Sequence, residues 1–215
     1  MTSLREARRS VREELSRTQL LDAAEEVFGR KGFHETTLKE IAEQAEFSVG
    51  SVYSFFESKN DLICQIFLLR GAENMQAIRA VYATESGALE RLRLVGDAVI
   101  DFYRAHPSFG LLALRYMNAD VLLLGDGAVQ QTITANYTEV ERMIADLIAA
   151  GQTAGEIHAG DPESLARMWM SLIHTFHTID PLVAGTGDRA SERFSREEFH
   201  QLVARALVER GHGRW

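Results

Sequence analysis

Between Thr36 and Lys59 the chain gathers short hydroxyls, a glycine, a phenol and two ammonium groups: Thr36, Thr37, Lys39, Ser48, Val49, Gly50, Ser51, Tyr53, Ser54 and Lys59. These groups suit hydrogen bonding to phosphate oxygens and base edges. Helix starts expose N–H groups and a favourable dipole to phosphate, which fits Thr36 and Thr37 before one helix and Lys59 at the start of another. Small residues such as Ser48, Gly50 and Ser51 let a helix backbone approach a groove closely. Tyr53 can give its hydroxyl to a phosphate, Ser51 and Ser54 can bond base edges, and Val49 can touch a thymine methyl. Upstream, Arg5, Arg8, Arg9 and Arg12 fall at i, i+3, i+4 and i+7. On an extended first helix they form one basic stripe, in an unfolded arm they can enter a minor groove, and otherwise they belong to a solvated tail.

A second group of residues lies further along. Tyr103, Phe109, Met117, Met143 and Trp169 either line an apolar cavity between helices or are plain core. Arg115 sits in the apolar run LLALRYM and needs a partner, either an internal carboxylate such as Asp101 or Glu139 or an acidic ligand. His174 and His177, at i and i+3, read as pocket or core residues. With no cysteine nearby and no carboxylate at ligand spacing, no metal site is assigned. Gly-rich phosphate loop, nucleophile elbow, HExxH and spaced acidic cluster are all missing from the sequence, so neither catalytic residues nor a cofactor are expected.

Helices must position these groups, since no sustained apolar–polar alternation occurs. Leu20, Ala24, Val27 and Phe28 make one helical stripe, closed by Gly32. Thr37-Leu38-Lys39-Glu40 is a capping box opening a second helix, with Leu38, Ile41, Ala42 and Ala45 on one face. After Glu46-Phe47, Ser48 caps a brief third helix, VGSVYSFF. A fourth opens at Ser58-Lys59-Asn60-Asp61 and runs unbroken through LICQIFLLRGAENMQAIRAVY. The tight turn between the second and third helices is that of a helix-turn-helix. Further helices are expected over 88–105, 108–118, roughly 126–150, 162–180 and 195–210, with a Gly-rich loop at 185–191.

The chain has 215 residues and a formal net charge of −8, which opposes nucleic-acid binding through bulk charge. The charge is uneven: residues 1–17 carry five arginines against three glutamates, whereas residues 1–62 carry 9 basic and 12 acidic groups. Binding to DNA would therefore rest on a few placed contacts. One cysteine, Cys64, excludes an internal disulfide framework, and no apolar run suits a leader or a membrane span, so a cytoplasmic, membrane-free protein is expected.

The stretch Arg17–Leu62 resembles the DNA-binding domain of the tetracycline-repressor (TetR-like) family. The resemblance is carried by Ala23-Ala24 with Phe28, Gly32-Phe33, Thr36-Thr37 before Ile41-Ala42, Ala45, Ser48, Gly50, Tyr53, Phe56, Ser58-Lys59 and Leu62. It implies backbone contacts at Thr37, Ser48, Gly50, Tyr53 and Lys59. This chain departs from the family pattern at Glu46, where glycine is usual, and at Val49 and Ser54, where basic or polar residues are common.

The expected architecture is all-α: a basic extension (1–15), a three-helix helix-turn-helix domain (16–62) and a larger helical ligand-binding and dimerisation domain (63–215). The resemblance implies a homodimer on a pseudo-palindromic double-stranded operator, with recognition helices about 34–36 Å apart. A largely apolar small-molecule effector would shift the fourth helix, and repression is the family's default. Dimerisation is expected through the two C-terminal helices. Leu165, Met168, Trp169, Leu172, Ile173 and Phe176 line one of them, and Phe199, Leu202, Val203, Ala206 and Leu207 the other. The alternative is a helical dimeric ligand-binding or interaction module whose DNA binding has weakened through Glu46 and the acidic balance.

Overall fold

The computed structural model describes residues 4–116, 127–184 and 195–208, all of them helices and short connections. Nine helices appear among these residues: α1 (Leu4–Lys31), α2 (Leu38–Gln44), α3 (Val49–Phe55), α4 (Lys59–Tyr82), α5 (Ala88–Ala105), α6 (Pro107–Tyr116), α7 (Gly127–Thr153), α8 (Pro162–Ala184) and α9 (Arg196–Leu207). The expected helix ends move by a few residues, and the 185–191 loop lies outside the described residues. The chain divides into two units, one holding residues up to Arg70 with 108–132, the other 71–107 with residues from Ile133 onward.

In the first unit the stripes meet as expected. Leu20, Ala24, Val27 and Phe28 of α1 bury with Ile41 and Ala42 of α2, Val52 of α3, Phe56, and Leu62, Ile63 and Ile66 of α4. Gly32 ends α1 at φ 87°, a conformation that strains any residue bearing a Cβ. Gly29 serves close approach instead, because a Cβ there would lie 2.7 Å from the Ser108 carbonyl oxygen. Phe67 and Phe109 meet edge-on, ring centroids 5.3 Å apart.

The same unit contains an ion cluster that the apolar stripes conceal. Arg70 is buried, its Nε 2.6 Å from Glu25 and its Nη2 2.7 Å from Asp22, so α4 is clasped to α1. Gln44 on Glu26 (2.8 Å) and Lys31 on Glu40 tie α2 to α1.

The second unit packs the rest of α4, α5, most of α7, α8 and α9 around Ile78, Leu92, Val95, Ile100, Ile144, Ile148, Trp169, Ile173, Phe199 and Leu207. Gly87 precedes α5 without a capping side chain, and Glu156 supplies the cap, its Oε2 accepting from the Leu89 N–H at 3.1 Å. α9 is held to α5 by Arg196 on Asp97 and Asp101, and by His200 on Asp97 at 2.9 Å.

The broad apolar faces expected on the last two helices each split in two. Trp169 and Ile173 are core while Met168 and Leu172 are exposed; Phe199, Val203 and Leu207 are core while Leu202 is half exposed. Among the described residues, no helix is long and apolar enough to cross a membrane.

Candidate nucleic-acid interface

The interface is built from two capped helices and the turn between them. Thr37 completes a capping box with Glu40: its hydroxyl accepts from the Glu40 N–H, and the Glu40 carboxylate accepts from the Thr37 N–H at 2.9 Å. Lys31 is the main cause, with the Thr37 bonds next, of a Glu40 carboxyl held down at about 2. The chain then reverses through a Schellman turn, Phe47 N–H on Ala42 O (2.8 Å) and Glu46 N–H on Glu43 O (3.2 Å). This turn puts its hinge residue in the left-handed region, and that residue is Glu46, at φ 59°. Backbone geometry thus accounts for the glycine common at this position, and Glu46 bears the strain.

Ser48 caps α3 by accepting from Ser51 N–H at 3.0 Å, and the two serine hydroxyls pair at 2.8 Å. Burial of Val52 and Phe56 fixes the helix rotation, leaving Val49, Gly50, Tyr53 and Ser54 exposed. Tyr53 is 58% exposed, and a Cβ on Gly50 would meet nothing nearer than Ser48 Oγ at 3.8 Å. The Ser54 hydroxyl donates to Ser51 O at 2.6 Å, leaving its lone pairs to accept from a base edge. Lys39 is exposed on α2, 3.6 Å from Glu43.

Two residues expected at this surface are placed otherwise. Thr36 is 1% exposed and its hydroxyl donates to Gly32 O at 2.7 Å, so it closes α1 rather than facing solvent. Lys59 points inward. Its ammonium donates to Phe33 O (2.8 Å), Thr36 O (2.9 Å) and, at 3.5 Å, His34 O, and stands 4.4 Å above the Phe33 ring. All three of its protons are thereby directed at carbonyls, so in this conformation it positions the loop before α2 and leaves no proton for a phosphate.

The second helix of this helix-turn-helix thus presents a bare face to solvent. The family profile described as "Bacterial regulatory proteins, tetR family" matches residues 20–66, the segment that builds it. Residues 20–66 are a TetR-family DNA-binding domain, and the chain is a TetR-like transcriptional regulator. A relative, the fatty acid metabolism regulator protein of Bacillus subtilis (strain 168), is 25% identical over 168 residues, covering 77% of this chain and 80% of its own. Two solved structures share the fold. The transcriptional regulator FadR from Bacillus subtilis in complex with stearoyl-CoA has a TM-score of 0.70 at 20% identity, covering 91% of this chain and 99% of its own. AibR in complex with isovaleryl coenzyme A and operator DNA has a TM-score of 0.72 at 15% identity, covering 90% and 98%.

In this TetR-like chain, the residues considered for an effector site do not converge. Met143 and Trp169 are buried in the core of the second unit and Tyr103 packs against it, its phenol pushed up to about 12 by burial. Phe109 belongs to the first unit. His174 is half-buried, and burial lowers its pKa. Met117 and the side chains of Arg115 and His177 lie outside the described residues. Both carboxylates considered for Arg115 are already engaged, Asp101 with Arg196 and Glu139 with Arg79 at 2.7 Å. A cavity of about 370 Å³ opens among α5, α8 and α9, floored by Leu92, Trp169 and Val203 and rimmed by Glu90, Arg93 and His200. Of the expected pocket residues it includes Trp169 alone. Among the described residues, no three His, Cys, Asp or Glu side chains are grouped to hold a metal ion.

Sequence reasoning passed over Arg17, Arg70 and Glu25. Arg70 lies four residues after Ile66 and seven after Ile63, on the buried stripe itself, and Glu25 follows the buried Ala24. A charged residue in register with a core stripe was the available signal.

Proposed function

We propose that this chain is a cytoplasmic homodimeric repressor that leaves its operator when an acyl thioester of coenzyme A binds its larger helical unit. The observation that carries the DNA half of this reading is the face of α3, where buried Val52 and Phe56 hold Val49, Gly50, Tyr53 and Ser54 outward. Thr37, Ser48, Lys39 and Tyr53 serve the phosphates; Val49, Ser51 and Ser54 serve the base edges. With no arginine on α3, discrimination comes from hydroxyls and apolar contact.

Support for the ligand class comes from the relatives, one a fatty acid metabolism regulator and two solved with coenzyme A thioesters. Within the second unit Trp169, Leu92 and Val203 floor the cavity among α5, α8 and α9, apolar surface of the kind an acyl chain contacts. Release requires the ligand to prefer the non-binding state, typically by about 1–3 kcal/mol of coupling. For dimerisation, the support is the split of α8 and α9: Met168, Leu172, Leu202 and Val208 remain exposed beside a filled intrachain core.

The test is a titration of the DNA upstream of its own gene with the full chain, with and without Tyr53→Ala, then with stearoyl-CoA and isovaleryl-CoA. Saturable binding, lost in the variant and reversed by a thioester, is the expected result. Binding that neither thioester reverses overturns the ligand class. A folded dimer that binds no better than to random duplex at moderate salt points to a module that no longer reads DNA.

A further inference from the structure

The first three turns of α1 belong to no core. From Leu4 to Leu15 every residue is exposed, and the first side chains with any burial are Ser16 and Arg17. At 1.5 Å per residue this is a helical rod about 18 Å long standing off the domain. Arg5, Arg8, Arg9 and Arg12 share about 100° of arc, with Glu14 opposite them and Glu6 and Glu13 on one flank. Arg9 bonds Glu13 at 2.8 Å, an exposed pair.

Viewed as a free-standing helix, this segment is poorly arranged. Cations near the N-terminus oppose the helix dipole, and arginines at i, i+3 and i+4 repel one another. Within residues 4–15 no side chain is buried against the domain. Such an arrangement gains stability when an anion is brought to the arginine face.

The rod's position indicates which anion. Arg17 anchors its base, donating to Gln65 Oε1 at 2.8 Å and stacking on the Phe56 ring at 5.1 Å, and Phe56 is the residue that ends α3. The base of the rod therefore lies beside the C-terminal end of the recognition helix. We propose that residues 4–16 are a second DNA-binding element, a helix whose Arg5, Arg8, Arg9 and Arg12 clamp phosphates flanking the segment read by α3. This rests on the assignment of α3 to DNA and extends it. The face reads no sequence, because guanidinium contacts to phosphates position a protein without distinguishing bases.

The experiment uses the full chain carrying Arg5→Gln, Arg8→Gln, Arg9→Gln and Arg12→Gln together. Its probes are a random 40-base-pair duplex and the duplex upstream of its own gene, each titrated across salt concentrations. Each phosphate contact adds about 0.9 to the slope of log affinity against log salt, so the variant should lose about 2–4 units per protomer on both duplexes and bind at least tenfold more weakly. Its melting temperature should match the wild type, since none of the four side chains is buried. An unchanged slope overturns the proposal. So does an unchanged slope with lost co-sedimentation on phosphatidylglycerol vesicles, which would make the rod a membrane element. Tyr53→Ala, run in parallel, separates the two assignments: binding indifferent to Tyr53 but dependent on the arginines removes α3 from the interface and keeps the rod.

Discussion

Glu46 shows how one side chain can set two properties at once. Its left-handed backbone costs about 1–2 kcal/mol relative to a residue without a Cβ, part of which the extra freedom of glycine in the unfolded chain takes back. Glu46→Gly should therefore raise the melting temperature by about 1–4 °C, read by calorimetry. It should also tighten binding to specific and random duplexes alike, because a carboxylate leaves the turn beside α3. Lys59 makes the opposite case. Lys59→Ala removes three charge-assisted bonds to the loop before α2 and should destabilise the fold by about 2 kcal/mol, measured by urea unfolding. A variant that folds as stably as the wild type yet binds DNA more weakly would return Lys59 to the phosphates. Sequence alone could not separate these roles, since a lysine at a helix start serves a phosphate and a carbonyl equally well. Thr36 and Thr37 were ambiguous for the same reason: adjacent hydroxyls differ only in the side of the turn they face.

At the scale of helices, caps and stripes were legible. The box at Thr37, the Ser48 cap and the break at Gly32 all stand where residue type placed them, because each depends on neighbours within four residues. What connects helices distant in sequence was not legible, as in the Arg70–Glu25–Asp22 clasp. Breaking a buried pair from one side costs about 3–5 kcal/mol, so Arg70→Met should unfold markedly earlier in urea. Adding Glu25→Leu to it should recover most of that loss. Glu40 gives α2 an acid limit. Its folded value of about 2 lies below the 4.5 of the free side chain, so its contribution is present above pH 4.5 and is lost as pH falls toward 2. The melting-temperature difference between wild type and Glu40→Gln should shrink across that window.

For the molecule as a whole, composition pointed away from DNA and pattern pointed toward it, and pattern was the better guide. A net charge of −8 is an average, whereas a helix-turn-helix acts through a face. The effector site was the least legible part, because apolar residues at helical spacing line a cavity and fill a core alike; Met143 and Trp169 fill it. Dimerisation is open to a direct test. Leu172→Glu with Leu202→Glu alters only exposed positions, so the chain should stay folded while sedimentation shifts from dimer to monomer. Operator affinity should fall with it, since two half-sites would no longer be held together.

The cap on α5 bears on the order in which the chain becomes structured. The helix-turn-helix closes through neighbours in sequence, whereas the first turn of α5 waits for a carboxylate 67 residues downstream. At about 5–20 residues per second on the ribosome, α5 spends roughly 3–13 s with its leading amides uncapped. The recognition helix can thus be in place on a nascent chain whose second unit is still assembling.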